Sequence, residues 1–181
     1  MVGIDKDAVE RYLATPAAYG LPASTPVERI DTHISVIFLA GPHAYKLKKR
    51  VDLVYLDFTT LDARREACKR ELMLNQRTAP SLYLDIVPVT ETGDGLVLGE
   101  NTDGTIVDWV VKMARFDQCN LLSHMADRGE LTVAMVEKLA RQLERFHKNA
   151  EVSRTDGGQA RFAEILESNQ KNFDPFIGKI Y

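Results

Sequence analysis

The sequence predicts an α+β protein: an antiparallel sheet of about five strands with one main helix, followed by a run of helices. Three observations predict it. Short runs rich in β-branched and aromatic residues, at 34–39, 44–48, 82–89, 96–98 and 106–113, are separated by turn-forming Gly, Pro, Asn and Asp. A longer segment, 59–77, carries helix signals at both ends and divides the first strand pair from the last three strands. After Phe116 the strand signals stop and helical periodicity takes over.

Each element has its own warrant. Residues 5–13 place Val9, Tyr12 and Leu13 on one face of a short helix. Pro16, Gly20, Pro22 and Pro26 then break the chain. From 27 to 50 the pattern reads strand, turn, strand, with Gly41-Pro42 as the turn of a hairpin. Thr59 or Thr60 can cap the main helix, with Asp62 three residues after Thr59, and Ala79-Pro80 ends it. Thr92-Gly93-Asp94-Gly95 and Asn101-Thr102-Asp103-Gly104 separate the last three strands, of which 106–113 is the most apolar. Residues 121–126 form a short helix. Residues 132–148 form an amphipathic one, with Val133, Val136, Ala140, Leu143 and Phe146 on its stripe. The loop Thr155-Asp156-Gly157-Gly158 leads to a last helix over 160–173. The division expected from this pattern is 1–113 for the sheet unit with its leading helix and 114–181 for the helical unit.

Composition narrows the function classes. The chain has 181 residues, enough for one domain or one lobe plus part of a second. A net charge of -3 gives no general attraction to nucleic acid or to an anionic membrane. No apolar run approaches the ~18 residues of a membrane helix. The N-terminus has acids where a signal peptide has basic and then apolar residues, so a cytoplasmic location is expected. Cys68 and Cys119 lie far apart in apolar-patterned segments without metal-ligand spacing, and read as buried free thiols. His33, His43, His124 and His147 are scattered and frame no zinc site. No phosphate loop or dinucleotide fingerprint occurs, and Ser123-His124 lacks the context of a nucleophile. His147, at the end of its helix, reads as a favourable cation on the helix dipole.

The candidate site joins a lysine-bearing strand to a glutamate-bearing helix. Alternation puts Ala44, Lys46 and Lys48 on one strand face and Tyr45 and Leu47 on the other. The small Ala44 beside a lysine leaves room for a flat ring next to a cation. The alternative is a solvated basic strand end made of Lys46, Lys48, Lys49 and Arg50. Glu71 has Ala67, Cys68, Leu74 and Asn75 at its three- and four-residue spacings, which turns it inward. Glu66 shares its face with Asp62, Lys69 and Arg70 and is solvated. An inward carboxylate needs a partner. Lys46 or Lys48 can serve, and Arg64 or Arg70 at the helix surface is the alternative.

Several segments together resemble one bacterial family. They are Thr32-His33-Ile34-Ser35, Phe38-Leu39-Ala40-Gly41, Ala44-Tyr45-Lys46-Leu47-Lys48-Lys49, Leu56-Asp57-Phe58, Leu74-Asn75-x-Arg77-x-Ala79-Pro80-x-Leu82-Tyr83-Leu84 and Trp109-Val110-Val111-Lys112-Met113. The chain resembles, over residues 8–150, the aminoglycoside-phosphotransferase-like proteins, often fused to a C-terminal P-loop ATP-binding domain. That family has the protein-kinase-like fold. The resemblance implies a kinase-like small lobe followed by the first helices of an incomplete large lobe. It implies that Ala44 packs on adenine, that Lys46 grips the ATP phosphates and that Glu71 orients Lys46. Thr32 and Ser35 fall in the loop over the phosphates, where hydroxyls and N–H groups replace the usual glycines. Residues 112–116, with Met113 and Arg115, resemble the hinge that meets the adenine edge. The segment Leu139-Ala140-x-x-Leu143-x-x-Phe146-His147 resembles the long helix of the large lobe.

The resemblance also implies what is missing. No His-Gly-Asp catalytic loop and no later metal-binding aspartate occur before Tyr181, so magnesium would need residues outside this sequence. Two functions follow as expectations. In one, the chain is the nucleotide-binding part of a small-molecule kinase and is inactive alone. In the other, it is a non-catalytic kinase-like module that works through self-association or a protein partner covering its apolar helix stripe.

Overall fold

The computed structural model describes residues 6–53, 55–99, 103–155, 157–174 and Ile177. Asn101, Thr102, Asp156, Asp5 and Tyr181, which figure in the expectations above, lie outside them. The chain divides into two compact units, Met1–Thr132 and Val133–Tyr181.

The first unit is mixed α+β. Helix α1, Lys6–Leu13, leads through a 3-10 turn at Pro16–Tyr19 to strands β1, Val27–Asp31, β2, Ser35–Ala40, and β3, His43–Lys48. A two-stranded ribbon follows, β4 (Asp52–Leu53) with β5 (Leu56–Asp57). Helix α2, Leu61–Gln76, precedes β6 (Tyr83–Thr92), β7 (Gly95–Leu98) and β8 (Thr105–Ala114). The unit ends with a 3-10 turn, Gln118–Asn120, and a short helix α3, Leu122–Asp127.

The sheet has six antiparallel strands in the order β1-β2-β3-β8-β6-β7. The expectation was about five. The added strand is β1, Val-Glu-Arg-Ile-Asp, whose residues are almost all exposed. The expectation ran 27–50 as one strand, a turn and one strand; the chain turns once more at Thr32–Ser35, where the Thr32 amide bonds the Ser35 carbonyl, and the charges of β1 guard an open edge. The most apolar strand, β8, takes a central place between β3 and β6, where both of its faces are covered.

Alternation along β8 separates two cores. Val110 packs with Phe38, Tyr45, Leu47 and Val89 beneath Val9 and Leu13 of α1. Trp109 and Val111 pack on the opposite face with Cys68 of α2, alongside Leu61, Tyr83 and Ile86. The register slips at Val107, because Val89 opposes Asp108 while Thr90 opposes Ile106. That one-residue bulge re-aims the strand where Asp108 meets α2.

Helix α2 begins at Thr60, whose Oγ1 accepts from the Ala63 amide at 3.1 Å. Thr59 instead hydrogen-bonds Asp57. The helix presents Leu61, Arg64, Cys68, Glu71 and Asn75 at the spacing of one face. Leu74, read above as part of that inward face, is 45% exposed. The face that seats α2 is therefore half polar, and ion pairs position the helix as much as apolar burial does.

The second unit holds α4, Val133–Lys148, and α5, Gly158–Phe173. Neither helix has a buried residue among those described. On α4, Val133, Val136, Leu139 and Leu143 remain exposed. Among the described residues no helix is long and apolar enough to cross a membrane.

Candidate functional site: a glutamate between two lysines

Strand β3 carries Ala44, Lys46 and Lys48 on the sheet face that looks toward α2. The register makes the surface. Leu39, Ala44 and Met113 lie in one row across β2, β3 and β8, and Tyr83 of β6 extends it. Ile37, Lys46, Val111 and Ile86 form the next row. Ser35 opposes Lys48 in the third.

Glu71 reaches this face from the middle of α2. Its Oε1 accepts from Lys46 Nζ at 2.8 Å, and its Oε2 accepts from Lys48 Nζ. The choice between Lys46 and Lys48 thus resolves to both. Arg64 and Arg70 do not pair with Glu71; Arg64 is engaged elsewhere in the core. Side-chain exposure is 24% for Lys46, 12% for Glu71 and 6% for Lys48. Burial pushes the Glu71 carboxyl up, but the hydrogen bonds and charges of Lys46 and Lys48 outweigh it and hold it below the ordinary glutamate range. The backbone is braced as well, since Asn75 Nδ2 donates to the Glu71 carbonyl at 2.8 Å. Lys48 Nζ also lies 5.7 Å from the Phe58 ring centre.

A second ionic cluster seats the same helix. Arg64 Nε donates to Asp108 Oδ1 at 2.8 Å, with side-chain exposures of 2% and 4%. The Arg64 guanidinium also donates to the Phe58 and Thr59 carbonyls. Arg50 stands 3.6 Å from the other Asp108 oxygen, and Asp108 caps the Trp109 amide. The sequence reading missed this pair. Its signal was a lone acid inside the most apolar strand, and an arginine seven residues before Glu71 on the same helix face.

The remaining candidates are placed as follows. Thr32 closes the β1–β2 connection on itself: its amide and Oγ1 both donate to the Ser35 carbonyl, and Oγ1 accepts from the Ser35 amide. Ser35 is fully buried, and its hydroxyl has no hydrogen-bond partner among the described residues. Lys49 donates to the Thr32 carbonyl at 2.6 Å and pairs with Asp31. The Ala114 and Arg115 amides are taken up by the Leu82 and Pro42 carbonyls. The Arg115 side chain pairs with Glu28 of β1 at 2.5 Å, and both line a cleft with Pro42, Phe116, Asp117 and Gln118.

The cysteines differ from expectation in one case. Cys68 is buried against Trp109, and burial pushes its thiol up to about 12. Cys119 is exposed, because its segment is a 3-10 turn that buries no side chain. Among the described residues no cluster of His, Cys, Asp and Glu could hold a metal ion.

Curated proteins similar to this chain come from mycobacteria. Uncharacterized proteins of Mycobacterium bovis and of two Mycobacterium tuberculosis strains, CDC 1551 and H37Rv, are each 33% identical to it over 142 residues, 78% of this chain and 26% of the relative. The chain spans about a quarter of the length of these curated relatives. No family model matches it. No solved structure matches it.

Proposed function

We propose that this chain is the nucleotide-binding part of a kinase-like protein of the aminoglycoside-phosphotransferase kind, with ATP held against the Lys46 face of the sheet. The observation that carries the reading is the Lys46–Glu71 ion pair, which ties a central strand to the helix packed on that face. A strand lysine steadied by a helix carboxylate is the arrangement that kinases use to grip phosphates.

The rest of the surface fits an adenine nucleotide. Leu39, Ala44 and Met113 make an apolar row beside Lys46; Leu39 and Ala44 are buried and Met113 is half-buried, so Met113 is the part of the row open to the face of a purine. The Ala114 and Arg115 amides are already satisfied, so they are poor candidates for the base edge, and recognition rests on the ring face. Thr32 and Ser35 lie at the Lys48 end, where Thr32 is bonded to the Ser35 backbone and the Ser35 hydroxyl is fully buried, so neither side chain is offered to the phosphates as the chain stands. Phosphoryl transfer falls to residues that this sequence does not contain, since it needs a base and magnesium ligands. A cytoplasmic setting, where ATP is plentiful, suits the reading.

A thermal-shift series tests it. ATP at a hundred times its dissociation constant adds about 2.7 kcal/mol to stability, so the unfolding midpoint of the native chain should rise with ATP. The rise should fall to about half or less in Lys46→Ala, where binding is at least about tenfold weaker. A native chain indifferent to ATP at millimolar concentration contradicts the reading.

One observation favours a second reading, a non-catalytic module that acts by association. The helices of the Val133–Tyr181 unit have no buried residue among those described, and they expose Val133, Val136, Leu143, Phe162 and Leu166. Apolar faces of that kind draw a partner, and a second copy of the chain is the simplest one. Light scattering should then give a dimer at high concentration, and Val136→Glu with Leu143→Glu should return it to monomer. A monomer throughout rules out self-association.

A further inference from the structure

Glu71 is one acid shared by two ammonium groups, so the trio carries one positive charge in excess. The two lysines are not equivalent. Lys48 is 6% exposed, lies against the Phe58 ring and opposes the buried Ser35 across the sheet. Lys46 is 24% exposed, lies between the apolar Ile37 and Val111 in the sheet register, and has Glu71 as its ion-pair partner.

We propose that the lysines divide the work: Lys48 is the positioning residue that keeps Glu71 neutralised and seated, and Lys46 is the exchangeable cation that a phosphate anion recruits. With a single lysine on the glutamate, drawing that lysine toward a phosphate would strip a half-buried carboxylate of its counter-charge. With Lys48 in place the carboxylate stays paired while Lys46 turns outward. No bond is made or broken; one ammonium changes its anionic partner. The identity of the anion rests on the nucleotide reading above, whereas the division between the lysines does not.

The test compares the native chain with Lys46→Met, Lys48→Met and Lys48→Arg, first without ligand. Lys46→Met should unfold within about 2 °C of the native chain, and Lys48→Met at least about 4 °C lower, with Lys48→Arg recovering most of the loss. In Lys46→Met the Glu71 carboxyl, followed by carbon NMR, should still titrate below the ordinary value of 4.5. That titration decides the matter even if Lys48→Met does not fold, and a merely structural lysine would not set it. Inorganic tripolyphosphate should then raise the midpoint of the native chain and of Lys48→Arg, and not that of Lys46→Met. A larger loss in Lys46→Met than in Lys48→Met, or Glu71 titrating at or above 4.5 in Lys46→Met, overturns the division. Tripolyphosphate acting equally on Lys46→Met, or not acting on the native chain, overturns the recruiting role. If tripolyphosphate behaves as expected and ATP does not bind, the nucleotide reading fails while the division of work stands.

Discussion

Replacing Asp108 by alanine should destabilise the sheet unit by about 3–5 kcal/mol, the usual cost of stranding one partner of a buried ion pair. Arg64 is almost fully enclosed, and Asp108 is its carboxylate partner at 2.8 Å. Its bonds to the Phe58 and Thr59 carbonyls satisfy hydrogen-bonding groups but bring no negative charge. A loss of that size is a large part of the 5–15 kcal/mol that typically holds a domain together. Urea unfolding of the native chain and Asp108→Ala measures it. A difference under about 1 kcal/mol would mean that solvent screens the pair. The double variant Arg64→Met with Asp108→Leu should recover most of the loss, because it removes both charges. Since Arg64 and Glu71 share one face of α2, Asp108→Ala should weaken the proposed ATP binding at Lys46 without touching the ligand.

Glu71→Gln should cost roughly 2–4 kcal/mol, toward the lower part of the range for buried pairs because Lys46 keeps contact with solvent. The greater part comes from Lys48, which loses its carboxylate while almost fully buried. The pH dependence has a definite sign. The Glu71 carboxyl lies below its ordinary value of 4.5 in the folded chain. Its stabilisation is complete above that value and is lost as pH falls through 4.5 toward the lower folded value, because the unfolded chain takes up the proton first. The native chain should therefore lose stability on acidification through this window. Glu71→Gln, less stable at neutral pH, should lose less over the same window. Parallel acid limbs in urea unfolding would show that Glu71 is not held by the lysines.

How much of this was legible in the sequence depended on whether the signal was local. The β2–β3 hairpin could be read because Gly41 takes the positive φ of 54° that its turn requires, between two runs of strand formers. Helix α2 could be read from its threonine cap and from Ala79-Pro80. Strand parity put Ala44, Lys46 and Lys48 on one face, helical spacing turned Glu71 inward, and the structure brings both lysines to Glu71. Parity could not choose between Lys46 and Lys48, since both obey it. Edge strand β1 was not separated from β2, because 27–50 read as one strand, a turn and one strand, and the connection Thr32-His33-Ile34 carries neither Gly nor Pro. Strand order was beyond reach: nothing local says that β8 crosses to pair with β3. The Arg64–Asp108 pair joins residues 44 positions apart, and it was invisible until that crossing placed β8 under α2.

The proposed role of Lys46 and Glu71 is a phosphate-gripping half-site for ATP. Calorimetric titration of ATP into the native chain, repeated with Lys46→Ala, tests it most directly. One ATP should bind per chain in the native protein, with affinity at least about tenfold weaker once Lys46 is gone, about 1.4 kcal/mol or more. No binding by the native chain, or equal binding by both, would contradict it.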